Sequence, residues 1–558
     1  MSLIKDALEA VLFRSPIIGN EIRSFIAGRW MVGQGNNYSP VTNPATEEVI
    51  ARVKDVADFQ IQEASAAARQ SQSYWHFEVG MQEKEAIFRC LAGYLDFHRG
   101  ALAWVIIKEG GKLWKWAEAE VQETIDTIWH YHGEISRVEG RFSRCQMRDK
   151  ASITIRDPYG IILGITPWNF PMAVPSWKIF AALASGNSVI IKDAEQTPIT
   201  VSLLAYLFHR AVKVVLGETR AKKLGGVFQV LHGRGETVGK MLLEEGDWDK
   251  AMFTGGTDTG AVVAGIVGRR NKPCSRELGG HAAIILLDDF DVDRAVKEAV
   301  TACNGDTGQR CVSLREVYAH KDVVAEFTSK YIKQVTSLRI GNPANPETQV
   351  GPLISREQLE RVKEGILLSV GENLNSPNLL AGGHTAGVSP FNNIFNTELE
   401  ARKKGYYFLP TVFTDMPADS YVRTHEIFGP VLCITPVFGN SREQVFENAL
   451  EMMNKSRYGL SNAVMTNDIS LAMRAIERVK TGILYINRGT TGAEVGQPFG
   501  GVKESGDGRE GRGTHETTVE KQVWVDYAPG PRMAQSGSED AVKQLLSDSR
   551  QTVEEFLK

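Results

Sequence analysis

Residues 161–165 read Ile-Ile-Leu-Gly-Ile, and residues 188–192, after a proline-rich turn and an apolar stretch over 174–185, read Ser-Val-Ile-Ile-Lys. An apolar run this short, with no polar alternation, fits a strand buried on both faces of a parallel sheet. Two such strands joined through a helix form a βαβ unit, and a sheet built of these units needs helices on both faces. The alternation continues with a helix over 200–216, a strand over 228–231, a glycine-rich turn, a helix over 238–245 and a strand over 250–253. The pattern predicts an α/β fold with a Rossmann-like, doubly wound sheet that takes a nucleotide at the carboxyl ends of its strands.

Before this unit, residues 25–30 and 41–53 are strand-like, with turns at Gly28 and Asn43-Pro44, and 56–99 read as two helices. Residues 113–135 form a helix carrying Glu118, Glu120 and Glu123 among Trp114, Trp116 and Trp129, and most of those carboxylates read as a solvated face. Residues 151–156 alternate as a strand. The apolar run 282–287 opens a second αβ series to about residue 480, which reads as a second lobe. Loop-forming residues thicken over 489–513, and the alternating strand 519–525 is expected to pair with the 151–156 strand or with a neighbouring subunit. Leu3, Ile4, Ala7, Leu8, Val11 and Leu12 share one helical face. Near the other end so do Val542, Leu545, Leu546, Val553, Phe556 and Leu557, beyond a linker-like tract.

A chain of 558 residues has room for two or three domains and a cleft between lobes. With 42% apolar residues, 23% charged residues and a net charge of -4, it has no basic excess for gripping nucleic acid. The six cysteines form no close pairs of the kind expected in a zinc site or a disulfide scaffold, so no metal is expected and a reducing compartment fits. No apolar run reads as long enough to span a bilayer, and Asp6 and Glu9 interrupt the first apolar pattern. A cytoplasmic location without membrane attachment is the expectation.

Candidate chemistry starts at Gly305-Asp306-Thr307-Gly308-Gln309-Arg310-Cys311, where two glycines allow a tight turn and a cysteine stands beside a basic residue. Such a cysteine is either a nucleophile or a buried small hydrophobe. Asn169, with prolines on both sides of its Trp-Asn-Phe segment, is suited to donate to an oxyanion or to cap the following helix. Lys192 ends a buried strand and Glu195 follows it, a placement that suits ribose hydroxyls or a solvated loop pair. Gly233-x-Gly235-x-x-x-Gly239 is only loosely like a dinucleotide fingerprint. Thr254-Gly255-Gly256-Thr257 offers a pyrophosphate turn or a plain strand-to-helix loop. Glu277, before Leu278-Gly279-Gly280, is a general base or a structural carboxylate.

Taken together, Pro167-Trp168-Asn169-Phe170-Pro171, Lys192-x-x-Glu195, Phe253-Thr254-Gly255, Glu277-Leu278-Gly279-Gly280, Gly308-Gln309-x-Cys311, Glu426-Ile427-Phe428-Gly429-Pro430 and Pro498-Phe499-Gly500-Gly501 resemble the aldehyde dehydrogenase superfamily in order and spacing, over about residues 25–525. The resemblance implies an NAD-binding domain (21–142 and 161–279), an α/β catalytic domain (280–480) and a small β oligomerisation arm (143–160 and 517–528). It also implies a loop-rich segment closing the active site (481–516), and the apolar helical faces beyond its span give terminal helical extensions over 1–20 and 529–558. Homodimers or homotetramers are the implied assemblies. Cys311 then matches the nucleophile that attacks a small-molecule aldehyde, the Asn169 amide and Cys311 N–H hold the oxyanion, and Glu277 activates the hydrolytic water. Lys178 and Glu510 match a proton route. Thr166, Pro167, Trp168, Lys192, Glu195, Gly235, Gly239, Phe253, Thr254, Gly255, Gly256, Leu278, Glu426 and Phe428 match the NAD-binding set.

Gly256 stands where the family usually has serine, and His281 where many members carry lysine. Gly305-Asp306, Glu120-Val121-Gln122-Glu123 and Gly492-Ala493-Glu494-Val495-Gly496 resemble the antiquitin-like branch, which oxidises α-aminoadipate semialdehyde. Thr491-Gly492-Ala493 also resembles pyrroline-5-carboxylate dehydrogenases, although those place serine where this chain has Val312. The match gives Arg310 and the Gly492 and Ala493 amides to a substrate carboxylate, Glu120 to its ammonium and Phe499 to the pocket. The expected reaction is NAD-dependent oxidation of a carboxylate-bearing semialdehyde. Its rivals are a broad-specificity aliphatic or aromatic aldehyde dehydrogenase and a catalytically silent nucleotide-binding structural protein. The second is disfavoured because Cys311, Glu277 and Asn169 are all present.

Overall fold

Five short strands pair in parallel in the order Cys274–Glu277, Lys250–Thr254, Ile161–Ile165, Ser188–Lys192 and Phe228–Val230. The hairpin Ser24–Ile26 and Arg29–Met31 extends the far edge of this sheet antiparallel. The computed structural model describes residues 16–18, 20–371, 376–386, 395–396, 404–528 and 539–558, and the apolar face expected over residues 3–12 lies outside them. Ile161, Ile162, Leu163, Val189, Ile190 and Ile191 are all buried, as unbroken apolar runs require. The chain steps outward from Ile161–Ile165 in one direction and then returns to its other side at Lys250–Thr254, so the strand order reverses at that central strand. Lys192 is level with Ile165, Ile165 with Phe253, and Thr254 with Glu277. The segments beginning at Thr166, Asp193, Gly255 and Leu278 therefore leave the sheet at one edge, beside the switch point where a ligand crevice forms.

A second sheet runs Leu379–Ala381, Thr411–Thr414, Val431–Val437, Leu314–His320, Ala282–Leu286, Ser461–Met465 and Ile483–Ile486, parallel except for its first pair. Its central strand, Leu314–His320, is buried at all seven positions although it carries Arg315 and Glu316. Helices Asp58–Phe77, Met81–Phe97, Arg99–Gly110 and Trp114–Glu134 precede the first parallel strand. The reading that no apolar run could span a bilayer needs one correction. Helix Pro198–Lys222 is long and apolar enough by length and composition, but most of that stretch is buried inside the protein and its backbone breaks at Gly217 (φ 76°). It is a core helix.

The described residues fall into two compact units, one within Met1–Ser136 and Pro158–Thr517 and the other within Arg137–Asp157 and Thr518–Lys558. Both seven-stranded sheets belong to the first. In the second, the strands Thr518–Asp526, Lys150–Pro158 and Arg141–Arg144 form one sheet in that order, so the last strand pairs with the 151–156 segment within its own chain. Helix Glu539–Phe556 follows in this unit, with Leu545, Leu546, Val553 and Phe556 exposed along the face read from the sequence.

Candidate active site

The segments leaving the two sheets enclose a cleft of about 1690 Å³, large enough for a dinucleotide and a small substrate together. The nucleophile candidate reaches it from helix Val292–Asn304 through a turn in which Asp306 and Thr307, neither of them glycine, are left-handed (φ 55° and 56°). Such residues persist only where the surroundings over-determine them. Here Lys112 Nζ lies 3.4 Å from Asp306 Oδ2, and Thr307 Oγ1 accepts from Gly351 N at 3.1 Å. Gln309 Oε1 accepts from Ile354 N at 2.9 Å. The Arg315 guanidinium donates to Gly308 O and to Gly429 O, both at 2.6 Å. Gly308 (φ 71°) has no room for a side chain, since a Cβ there would lie 2.1 Å from Gly429 O.

This turn delivers Cys311 to the cleft wall together with Asn169, Glu277 and Gly279. Burial pushes the Cys311 thiol up to about 12, and the charges of Glu426 and Glu277 add to the effect, so the resting group is a thiol. Asn169 Nδ2 donates to Gln309 O at 2.9 Å, and helix Ala173–Ala184 begins without a side-chain cap. The capping alternative for Asn169 therefore falls away, and one amide N–H remains for the cleft. Glu277 is 4% exposed and neither carboxylate oxygen has a protein partner. Its pKa is pushed well above the usual carboxyl range by burial and then by Glu510, against the pull of Lys178 and Arg509. An unpartnered buried carboxyl on a cleft wall is the form a general base takes before its water arrives. Lys178 and Glu510 are both buried and paired at 2.5 Å. Gly279 and Gly280 do permit the close approach expected of them: a Cβ would fall 2.2 Å from Glu426 Oε2 and 2.4 Å from Cys311 O respectively.

The larger part of the cleft fits a dinucleotide. Thr166, Pro167, Trp168, Lys192, Glu195, Gly235, Phe253, Thr254, Gly255, Gly256, Leu278, Glu426 and Phe428 line it. Gly239 does not. It closes the helical turn Gly235–Gly239 behind Lys192, where a Cβ would contact Lys192 Cδ at 3.9 Å, and this corrects its assignment to the cofactor set. The hydroxyls of Thr166, Thr254 and Thr257 are buried on the cleft wall without protein partners, the arrangement expected of donors that serve a polar ligand. Thr257 opens helix Thr257–Arg269, so it brings a hydroxyl to the helix N-terminus that Gly256 leaves bare. Glu426 accepts from Gly280 N at 3.1 Å, and burial raises it to about 7 against the pull of Arg315. Phe428 meets Trp168 edge to face at 5.4 Å.

The Glu426–Phe428 segment is held by residues that sequence reasoning missed. Gln358 Nε2 donates to Phe428 O at 2.8 Å, and buried Glu316 accepts from Arg423 Nε at 2.8 Å. His281, lowered to about 4 mainly by burial, is neutral and donates through Nε2 to Val422 O at 3.0 Å. The available signal was the polar pair Arg315-Glu316 in an otherwise apolar strand, because a buried charge needs a partner.

At the other end, Arg310, Gly492, Ala493 and Phe499 line the cleft with Trp116, Phe170 and Trp177. The Arg310 guanidinium lies 4.1 Å from the Trp116 ring centre and 5.6 Å from that of Phe170, with Asp306 at 4.0 Å. Its Nε, the atom nearest Asp306, is buried without a hydrogen bond. Glu120 lines this end of the cleft but is 1% exposed, so it is not part of a solvated face. Its oxygens already hold Lys112 Nζ at 2.7 Å and the N–H groups of Met172 and Ala173 at 2.8 and 3.2 Å, which takes three of about four acceptor sites. Glu123 also faces the cleft. Burial lifts it to about 7, the Glu120 charge adds, Lys112 and Arg310 oppose, and the Trp177 indole N–H donates to it.

Solved structures share this architecture. A point mutant of an aldehyde dehydrogenase from Bacillus cereus is 30% identical, with a TM-score of 0.82 over 94% of this chain and 99% of its own. Betaine aldehyde dehydrogenase from Staphylococcus aureus in complex with NAD+ is 26% identical, with a TM-score of 0.84 over 96% of this chain and 99% of its own. An NADP-dependent enzyme of E. coli is 29% identical, with a TM-score of 0.81 over 90% and 98%. Residues 30–523, which contain every cleft-lining group described above, match the aldehyde dehydrogenase family, and the chain belongs to that family of NAD(P)-dependent oxidoreductases.

Proposed function

We propose that the protein oxidises a semialdehyde bearing a carboxylate and an α-amino group, with NAD as the cofactor. The observation that carries this reading is Arg310, whose guanidinium stands in the cleft one residue from Cys311, with Nε making no hydrogen bond and Asp306 no nearer than 4.0 Å. The Gly492-Ala493 turn lines the same cleft, and so do Glu120 and Glu123, of which Glu123, the less engaged by other donors, is assigned the ammonium.

The chemistry follows from the residues present. Cys311 releases its thiol proton to solvent in the cleft and, as thiolate, attacks the aldehyde carbon, and the carbonyl oxygen gains the charge, which the Asn169 amide and the Cys311 N–H stabilise. Bound NAD supplies a hydride acceptor for the former aldehyde hydrogen, leaving a thioester on Cys311. Glu277 takes a proton from water as the water attacks that thioester, and the carboxylate product leaves with the thiol restored. Lys192 and Glu195 hold the adenosine ribose, and Glu426 holds the nicotinamide ribose. In the small unit, the nine-residue edge strand Thr518–Asp526 exposes Trp524 and Val525, which supports a role for this sheet in a homo-oligomer.

NADH formation across matched aldehydes tests the substrate reading. A carboxylate anchored by Arg310 gains charge-assisted hydrogen bonds of roughly 1.5 to 3 kcal/mol, a preference of about tenfold to hundredfold over a neutral aldehyde of equal length. Arg310→Ala is expected to raise KM for the acidic substrate and leave the neutral one nearly unchanged, and Glu123→Gln to weaken only substrates with the amino group. Equal responses from both substrates, or a wild-type preference for hexanal, would establish broad specificity instead.

The cofactor reading has its own test. Glu195 is 29% exposed and lies 3.4 Å from Lys192 Nζ, so a 2′-phosphate in the ribose site meets a partly screened like charge. NAD is expected to exceed NADP in kcat/KM by at least about tenfold, with Glu195→Ala narrowing the gap. Equal values for the two cofactors in the wild type would place Glu195 outside the ribose site.

A further inference from the structure

Beneath the loop assigned to the adenosine ribose lies a buried chain of three side chains that the reaction does not use. Asp193, His232 and Ser202 are 3%, 1% and 0% exposed. His232 Nδ1 is 2.9 and 3.0 Å from the two Asp193 carboxylate oxygens, and Nε2 is 2.9 Å from Ser202 Oγ. The single Ser202 hydroxyl proton has two acceptors in reach, Nε2 and Pro198 O at 2.8 Å. Whichever takes it, Nδ1–H stays on Asp193. The order of groups is that of a serine nucleophile relay, but Ser202 is fully buried inside helix Pro198–Lys222 and cannot meet a substrate. The chain therefore acts on Asp193.

Asp193 is the first residue past strand Ser188–Lys192 and sits on the cleft wall between Lys192 and Ala194. Its backbone carbonyl accepts from Lys192 Nζ, which also lies 3.4 Å from Glu195 Oε2. The conformation at Asp193 thus places both groups that face the ribose. A carboxylate this deeply buried needs a donor to hold it in place. Glu109, on the neighbouring helix, is engaged elsewhere, its oxygens accepting from Ile199 N, Thr200 N and Thr200 Oγ1.

We propose that His232, oriented by Ser202, is a positioning residue that fixes Asp193 and so sets the affinity of the Lys192–Glu195 loop for the adenosine half of the dinucleotide. This rests on the reading that Lys192 and Glu195 hold the ribose. The test is calorimetric titration of the full-length enzyme with NAD, beside kcat at saturating cofactor, for His232→Leu, His232→Asn, Ser202→Ala and Glu195→Ala. His232→Leu removes the donor and is expected to raise Kd about tenfold with kcat changed less than about twofold. His232→Asn keeps an N–H near the Nδ1 position and is expected within about threefold of wild type, and Ser202→Ala to raise Kd about threefold. Should His232→Leu not fold, Ser202→Ala decides alone, and an unchanged Kd overturns the proposal. If His232→Leu binds NAD as wild type does while Glu195→Ala binds it weakly, the positioning role is wrong and the ribose reading stands. If Glu195→Ala also binds normally, the ribose reading itself is wrong. A His232→Asn enzyme as impaired as His232→Leu would mean that imidazole packing, and not its donor, is what matters, and would equally overturn the proposal.

Discussion

Cys311→Ala is expected to lower aldehyde-dependent NADH formation by about 10⁴-fold or more, to the background of the assay, while NAD still binds. The size of the loss follows from the site. The covalent step needs a sulfur at the cleft wall, and the other cysteines offer no substitute, since Cys303 and Cys433 are buried and none of the remaining three lines the cleft. The fold should tolerate the change because Arg315, Gln309 and Thr307 hold the turn through main-chain contacts that do not involve the sulfur. Calorimetric titration with NAD checks that the cofactor site survives. Retained turnover in that variant would mean that the chemistry does not pass through a thioester on Cys311.

Glu277→Gln separates the two halves of the reaction. Glutamine keeps the volume of the carboxyl and cannot take a proton from water, so steady-state turnover is expected to fall by about 10²–10⁴-fold. The hydride step does not need that proton transfer. A rapid burst of NADH of about one equivalent per site should therefore precede the slow phase, and mass spectrometry of the intact chain should show the acyl group on Cys311. Loss of the burst together with the steady state, and no acyl-enzyme, would remove Glu277 from the role of base.

Much of this was readable because apolar runs and glycines report directly on the backbone. Residues 161–165 and 188–192 have no polar alternation and became adjacent parallel strands, and Gly279-Gly280 marked a place where Glu426 and the Cys311 carbonyl press against bare backbone. The ordered motifs supplied the names of Cys311, Asn169 and Glu277. What could not be read was which of several equivalent side chains would find a partner distant in sequence. Glu120 and Glu123 are three apart on one helix and nearly alike to a reader of the sequence. Both line the cleft, and only the packing of Lys112 and the start of helix Ala173–Ala184 engages most of the first and leaves the second freer. The left-handed turn at Asp306 and Thr307 was equally hidden, since Asp favours that region only modestly and β-branched Thr avoids it, and the contacts that hold it come from Lys112, Gly351 and Arg315. Gly239 matched a motif position, yet a change in local backbone winding over Gly235–Gly239 turned it away.

The two short bonds from Arg315 have a mechanical meaning. One guanidinium group grips the Gly308 carbonyl, three residues before Cys311, and the Gly429 carbonyl just after Phe428, and Gly308 and Gly429 are in backbone contact beneath it. The turn that carries the sulfur and the segment proposed to seat the nicotinamide are thereby tied to each other, on either side of the gap that the proposed hydride transfer would cross. Thermal drift of the two walls is then shared, and the width of that gap is set by the stiffness of a single planar side chain and not by the looser agreement of two independent loops.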